Sequence, residues 1–232
     1  YEIGVRLVGS EMCIRDSIEY NAGSNGGNIS FKVDRFSIQQ GNAVIAIKDA
    51  SNNVLWSWHI WVTDENIDNV IEVTNYQNVK YNIMPVNLGW CDDDVTTYAE
   101  RSCKVRFTAG DASKEVTIRQ VSASITIRGN HPYYQWGRKD PFIGPSSYNA
   151  ANGASASMYN GGGSRVYLRT AASSAETGTV AYAVQHPLTF ITGVSGSEND
   201  WLWSAHSDDL WSASKKSPYD PCPHGWRVAP SA

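Results

Sequence analysis

From Ile18 onward, apolar residues recur at every second position in short runs bounded by Gly, Asn, Asp and Ser. That period confines most of the chain to sheet. Successive side chains of a strand point to opposite faces, whereas a helix needs apolar residues every three or four positions. The runs 29–33, 43–47, 54–62, 70–73, 79–84, 104–109, 115–121 and 124–127 all carry the pattern. The richest is 54–62. Trp56, Trp58, Ile60 and Val62 share one face, and Leu55, Ser57, His59 and Trp61 the other. Bulk on both faces predicts a central strand covered on both sides, with Trp56, Trp58, Ile60 and Val62 in the core and Trp136 and Trp226 beside them. In 104–109, Val105, Phe107 and Ala109 alternate with Lys104, Arg106 and Thr108, and the turn residues 110–113 then predict a hairpin.

What such strands can build depends on how much they bury. The 232 residues include 9 Trp, 12 Tyr and 5 Phe and only 18% are charged, which excludes a disordered chain and supplies ample core for one or two domains. A net charge of -4 without a basic stripe excludes a dedicated nucleic-acid binder. No run approaches the roughly 18 apolar residues of a membrane-spanning helix, so no transmembrane segment is expected. One short helix is predicted over 180–186, stopped by Pro187. Residues 144–164 carry no charge and are nearly all Gly, Ser, Ala and Asn, which predicts a long mobile loop. The expected class is therefore mostly β with minor α (α+β): an antiparallel sheet core with long loops.

The first 17 residues stand apart. They lack the basic, apolar and small-residue succession of a signal peptide. Their segment Val-Gly-Ser-Glu-Met-Cys-Ile-Arg-Asp-Ser resembles a translated sequencing-adapter peptide. Residues 1–17 are accordingly expected to be a non-native leader that docks nowhere, with a genuine short edge strand as the alternative, and 18–40 the end of a preceding β-rich region.

Motifs for chemistry are sparse. Cys13, Cys91, Cys103 and Cys222 form no C-x-x-C pair, so no zinc site is expected; Cys91 and Cys103 either pair or remain buried thiols. Asp64, Asn66 and Asp68 begin like a calcium loop but meet Asn69 and Asn75 where that loop needs Gly and Glu. Asp92, Asp93 and Asp94 are consecutive and point to alternate sides of an extended chain. Around Ser195 the second glycine comes one place early for a nucleophile elbow. His59, His131, His186, His206 and His224 are isolated in sequence. No catalytic set, metal or cofactor is expected.

The aromatics say more. Flat Trp and Tyr rings beside amides and carboxylates suit the apolar face of a sugar. Tyr133, Tyr134 and Trp136, and Trp201 and Trp203, have that texture and form the candidate platform. Most of the other rings belong to a core. Between Trp136 and Phe142, Gly137 permits a tight bend and Pro141 biases Asp140 toward an extended conformation. Asp140 and Pro141 are read as a structural turn in which Asp140 caps backbone amides or pairs with Arg138.

Four strings converge on one resemblance: 41–51 running into Val54-Leu-Trp-Ser-Trp-His-Ile-Trp-Val, Met84-Pro-Val-Asn-Leu-Gly89, Tyr133-Tyr-Gln-Trp-Gly-Arg-Lys-Asp-Pro-Phe142, and Tyr219-Asp-Pro-Cys-Pro-His-Gly-Trp-Arg-Val228. In this order they resemble Bacteroidales surface proteins that carry the Fibrobacter succinogenes major paralogous domain, often described as fimbrillin-like or as lipoproteins. The resemblance spans roughly 41–230, within an incomplete domain over 41–232. The chain departs from it at Ala229, where proline is usual, and it ends where the family continues into a further helix. The stretch 102–122 resembles a hairpin of bacterial Ig-like (BACON-type) modules.

The resemblance implies a C-type lectin-like scaffold cut short at its C-terminus, with Pro221 and Pro223 in a structural turn. The lectin triplets Glu-Pro-Asn and Gln-Pro-Asp are both absent. It further implies a place outside the cell or on the outer-membrane surface, and a non-enzymatic role in adhesion or glycan binding. The partners would be host or dietary glycans, or other fimbrial and surface subunits. A structural subunit or spacer without ligand is the alternative, and an enzyme on a lectin-like scaffold the weaker one.

Overall fold

The computed structural model describes residues 2–8, 17–21, 27–33, 35–36, 38–127, 132–142, 157–160, 165–167, 169–193, 200–212 and 214–229. The chain divides into two compact units, one formed by 1–91 with 130–232 and the other by 92–129. The first unit opens with β1 (Glu2–Val8), β2 (Ser17–Asn21), β3 (Asn28–Lys32), β4 (Gly41–Lys48), β5 (Val54–Val62), β6 (Ile71–Thr74) and β7 (Lys80–Ile83). The second contains β8 (Asp94–Tyr98), β9 (Arg101–Ala109), β10 (Ala112–Gln120) and β11 (Ala123–Ile127). The first then resumes with β12 (Tyr133–Tyr134), β13 (Pro141–Phe142), β14 (Ser157–Asn160), β15 (Arg165–Tyr167), β16 (Arg169–Ala172), α1 (Val180–Gln185) and β17 (Thr189–Thr192). The chain is mostly β, and among the described residues there is one short helix and every strand pair is antiparallel except β16–β17.

The largest sheet has the order β15-β14-β1-β4-β5. Its best-covered strand is β4, buried from Gly41 to Ala46. Ala43 and Ile45 lie on one face and Asn42, Val44 and Ala46 on the other, so both sides of β4 are sealed. The β4–β5 turn is held by Asp49, whose Oδ1 accepts from the backbone N–H of Ser51 at 2.9 Å and of Asn53 at 2.8 Å. Asn52 there takes a left-handed φ of 67°, which asparagine tolerates better than most residues.

Three expectations change. β5 closes the sheet edge and is not central, so Trp58 is 39% exposed while Trp56, Ile60, Val62 and Trp226 are only half-buried. The inward face of β5 is the more polar one: Ser57, His59 and Trp61 turn toward the 87–91 loop, Tyr134 of β12 and the turn after it, which meet them with hydrogen-bond partners. Side-chain size suggested the opposite face because the loops' polar groups cannot be read from the strand itself. Second, Glu2–Val8 is no undocked leader. It pairs with β4 along its whole length, from Glu2 opposite Lys48 to Val8 opposite Asn42. Its alternation of Ile3, Val5 and Leu7 is the same period-two signal found elsewhere. Third, the stretch read as one loop contains β14, paired with both β1 and β15; residues 143–156 and 161–164 lie outside the described set.

Helix α1 forms as expected. Thr179 caps it, its Oγ1 accepting from the Tyr182 N–H at 3.1 Å, and Pro187 follows its end. The helix joins β16 to β17, and a parallel pair requires such a crossover. Ala183, Ile191, Trp201, Leu202 and Leu210 make a core with Trp136, Val180, Tyr182 and Tyr219 packed against it.

The second unit consists of two ribbons, β8–β11 and β9–β10. The expected hairpin is β9–β10, with Gly110 at φ +58° in its turn. Asp94 begins β8. Among the described residues no helix is long and apolar enough to cross a membrane, and no group of three or more His, Cys, Asp or Glu is placed to hold a metal ion.

Candidate functional site

The most built-up part of the molecule is the turn between β12 and β13. Its backbone closes with the Arg138 N–H donating to the Gln135 carbonyl at 3.0 Å. Gly137 sits at φ +74° with Leu210 Cδ1 only 2.9 Å from where a Cβ would stand, so both conformation and space require glycine there. The three residues that follow are all charged and all buried.

Arg138 spreads its guanidinium over backbone. Nη1 donates to the Thr189 carbonyl at 2.6 Å and to Gln135 Oε1 at 3.1 Å; Nη2 donates to the carbonyls of Ala183 at 3.1 Å and His186 at 3.0 Å. Two of these carbonyls lie at the end of α1, beyond reach of the helix's own N–H groups; that of His186 also accepts from the Thr189 N–H at 3.0 Å. Burial lowers the Arg138 pKa to about 10, with Asp140 and Tyr182 opposing, so it stays charged at neutral pH. The expected Arg138–Asp140 pair is therefore corrected. Arg138 serves carbonyls, and Asp140 takes Lys139 and Ser57.

Asp140, 2% exposed, accepts from Ser57 Oγ at 2.6 Å and from Lys139 Nζ at 2.9 and 3.1 Å on its two oxygens. Lys139 Nζ also donates to the Ser57 carbonyl at 2.9 Å and to Ser57 Oγ, and it lies 4.6 Å from the Trp56 ring centre. Burial pushes the Lys139 pKa down and Asp140 pulls it back up. Asp140 thus caps a side-chain hydroxyl and an ammonium, not backbone amides. Pro141 is buried beside it.

A second relay runs through His59. Tyr134 Oη lies 2.7 Å from Nδ1, and Asn42 Oδ1 lies 2.8 Å from Nε2. Asn42 Nδ2 donates to the Gly89 carbonyl and to Cys91 Sγ, so its Oδ1 is the acceptor and Nε2 of His59 carries the proton. Nδ1 then accepts from Tyr134. Burial keeps His59 neutral, lowering its pKa to about 4, and raises that of Tyr134 well above its usual value, with Cys222 and Asp140 adding to the rise. The chain Tyr134–His59–Asn42 ties β12, β5, β4 and the 87–91 loop together. Its signal in the sequence is His59 and Asn42 on strands otherwise filled with apolar residues.

The candidate platform does not assemble as a single face. Trp201 is 2% exposed, and its Nε1 donates to the Trp136 carbonyl at 2.7 Å, so it belongs to the core and not to a sugar-facing surface. Trp136 is half-buried, with His206 stacked on it at 4.2 Å and Trp211 tilted at 5.9 Å. Asp200 and Asp208 hold the two nitrogens of His206 at 2.7 and 3.1 Å; the Asp200 hydrogen bond leads in raising its pKa. Tyr134 is committed to His59. Tyr133 is 37% exposed, with its ring tilted 6.1 Å from that of Phe142, and Trp203 is 49% exposed.

The turn at Pro221 and Pro223, both half-buried, is organised by Asp220. Burial opposes its charge, but Lys216 at 2.9 Å and the N–H groups of Val228 and Cys222 hold the carboxyl below its usual pKa. Burial and the neighbouring Asp220 push the Cys222 thiol up to about 12. No disulfide joins Cys91, Cys103 and Cys222 to one another; Cys13 lies outside the described residues.

The crevice lined by Gly137, Arg138, Asp140, Ala183, Trp201 and Tyr219 has a volume of about 10 Å³, roughly the space of one water. A sugar ring has no room there. No family model, curated protein or solved structure matches the chain.

Proposed function

We propose that this chain is a non-enzymatic module of a bacterial surface, outside the cell or on the outer membrane, acting in adhesion through glycans of host or dietary origin. The supporting observation is a division of labour among the rings. The charged turn 138–140 directs its polar groups, Arg138 Nε excepted, to backbone, Gln135 and Ser57, and the crevice beside it has no room for a small molecule. Tyr133 and Trp203 are the candidate rings with the most surface left exposed, 37% and 49%. A C-type lectin-like scaffold belongs to the same proposal. Glycan-array binding of the full chain tests it. Signal that survives chelator and falls at least tenfold in Tyr133→Ala and Trp203→Ala supports the reading; silence across the array removes it.

A second reading, a structural fimbrial or surface subunit, is favoured by one observation. Of the five candidate rings, Tyr133, Tyr134, Trp136 and Trp201 are engaged in internal contacts. Self-association without glycan binding selects it.

A further inference from the structure

The second unit leaves strand edges open. In β9–β10 neither outer edge is paired among the described residues, and every side chain of the ribbon is exposed except the half-buried Val105. A two-stranded ribbon is marginal by itself in water, and its unpaired N–H and C=O groups are a template for another strand. The two edges differ in charge. β9 carries Arg101, Lys104 and Arg106 without an acid, so a second basic strand is repelled there. β10 carries Lys114, Glu115 and Arg119, with one acid between the bases.

We propose that the β10 edge pairs antiparallel with the β10 edge of a second copy, about a two-fold axis at Thr117. In that register Glu115 of each copy faces Arg119 of the other, Val116 faces Ile118, and Lys114 faces Gln120. The β9–β10 pairing fixes which side chains share a face: Val116 and Ile118 lie with Val105 and Cys103, and Glu115, Thr117 and Arg119 with Arg106, Lys104 and Ser102. An axis between residues sets the apolar face of one copy on the polar side of the other. An axis at Glu115 or Arg119 sets like charges against each other. An axis at Val116 or Ile118 pairs neither Glu115 with Arg119 nor Val116 with Ile118. Thr117 alone matches both faces.

Glu115 is already bound to Arg106 across the ribbon. In the dimer it lies between that arginine and Arg119 of the second copy. The four-stranded sheet ends in two β9 edges whose Lys104 and Arg106 discourage further addition, so the assembly closes as a dimer. This inference is independent of the glycan reading.

Sedimentation velocity of the full chain over a concentration series tests it. The parent should dimerise reversibly. Arg119→Glu, which sets a carboxylate against Glu115 at both symmetric contacts, should weaken the dimer about tenfold with an unchanged melt. Opposed residues of an antiparallel ladder have Cα atoms about 4.5–5.5 Å apart, within disulfide reach. Thr117→Cys should therefore give an oxidised dimer whose 117–117 peptide is identifiable by mass spectrometry. Ser113→Cys, about 27 Å from its counterpart, should not form a 113–113 link. A monomer at every soluble concentration, a dimer indifferent to Arg119→Glu, or no 117–117 link overturns the proposal.

Discussion

Replacing Asp140 with alanine tests whether the turn 138–140 is a structural lock. The carboxylate is 2% exposed and accepts three hydrogen bonds, one from Ser57 Oγ and two from Lys139 Nζ. Its removal leaves the Lys139 ammonium buried with only Ser57 to accept from it. Breaking a buried pair from one side costs about 3–5 kcal/mol, because the remaining charge is uncompensated. At about 2–4 °C per kcal/mol for a chain of this size, Tm should fall by about 6–20 °C. Tryptophan fluorescence is the fitting probe, since all nine Trp lie in the first unit. Lys139→Met with Asp140→Leu removes both charges and takes partners only from the hydroxyl and carbonyl of Ser57, so it should cost about 1–3 kcal/mol. The double variant must be milder than Asp140→Ala. Stability of Asp140→Ala within about 0.5 kcal/mol of the parent, the range of a neutral surface change, refutes the lock. So does a double variant that loses the sum of the two single losses.

His59 makes stability depend on pH. Its folded pKa of about 4 lies below the ordinary 6.5, so the unfolded chain binds the extra proton. The contribution is whole above pH 6.5 and is lost as pH falls toward 4, by at most about 3 kcal/mol. Urea melts between pH 7 and 4 should show the slope, and His59→Gln should flatten it. Gly137→Ala meets both the positive φ and Leu210, and should destabilise by at least about 1–2 kcal/mol in the same melts. Gly110→Ala, with open space around it, should lose less than Gly137→Ala. Trp201→Ala should cost about 3–5 kcal/mol by leaving a cavity in the core, whereas the half-open Trp58→Ala should cost clearly less in thermal melts.

How much of this is legible beforehand follows from how local each signal is. Alternation in 54–62, the turn chemistry of 110–113 and the Thr179-to-Pro187 boundaries are readable because strand period, hairpin turn and helix cap act between near neighbours. The same local signal is present in Ile3, Val5 and Leu7, where the foreign look of the adjacent segment masks it. Which face of β5 turns inward is not local. It depends on Asp140, Lys139 and Tyr134 arriving from roughly 80 residues away to satisfy Ser57 and His59. Burial of Trp201 likewise depends on the Trp136 carbonyl finding its indole N–H. The sequence by itself therefore determined a β-rich chain, its turns and the helix after Thr179, since these follow from backbone geometry and side-chain period. The tertiary structure alone decided which rings became core and which charges became lock. Burying an indole or an ammonium is favourable only where distant groups supply its hydrogen bonds.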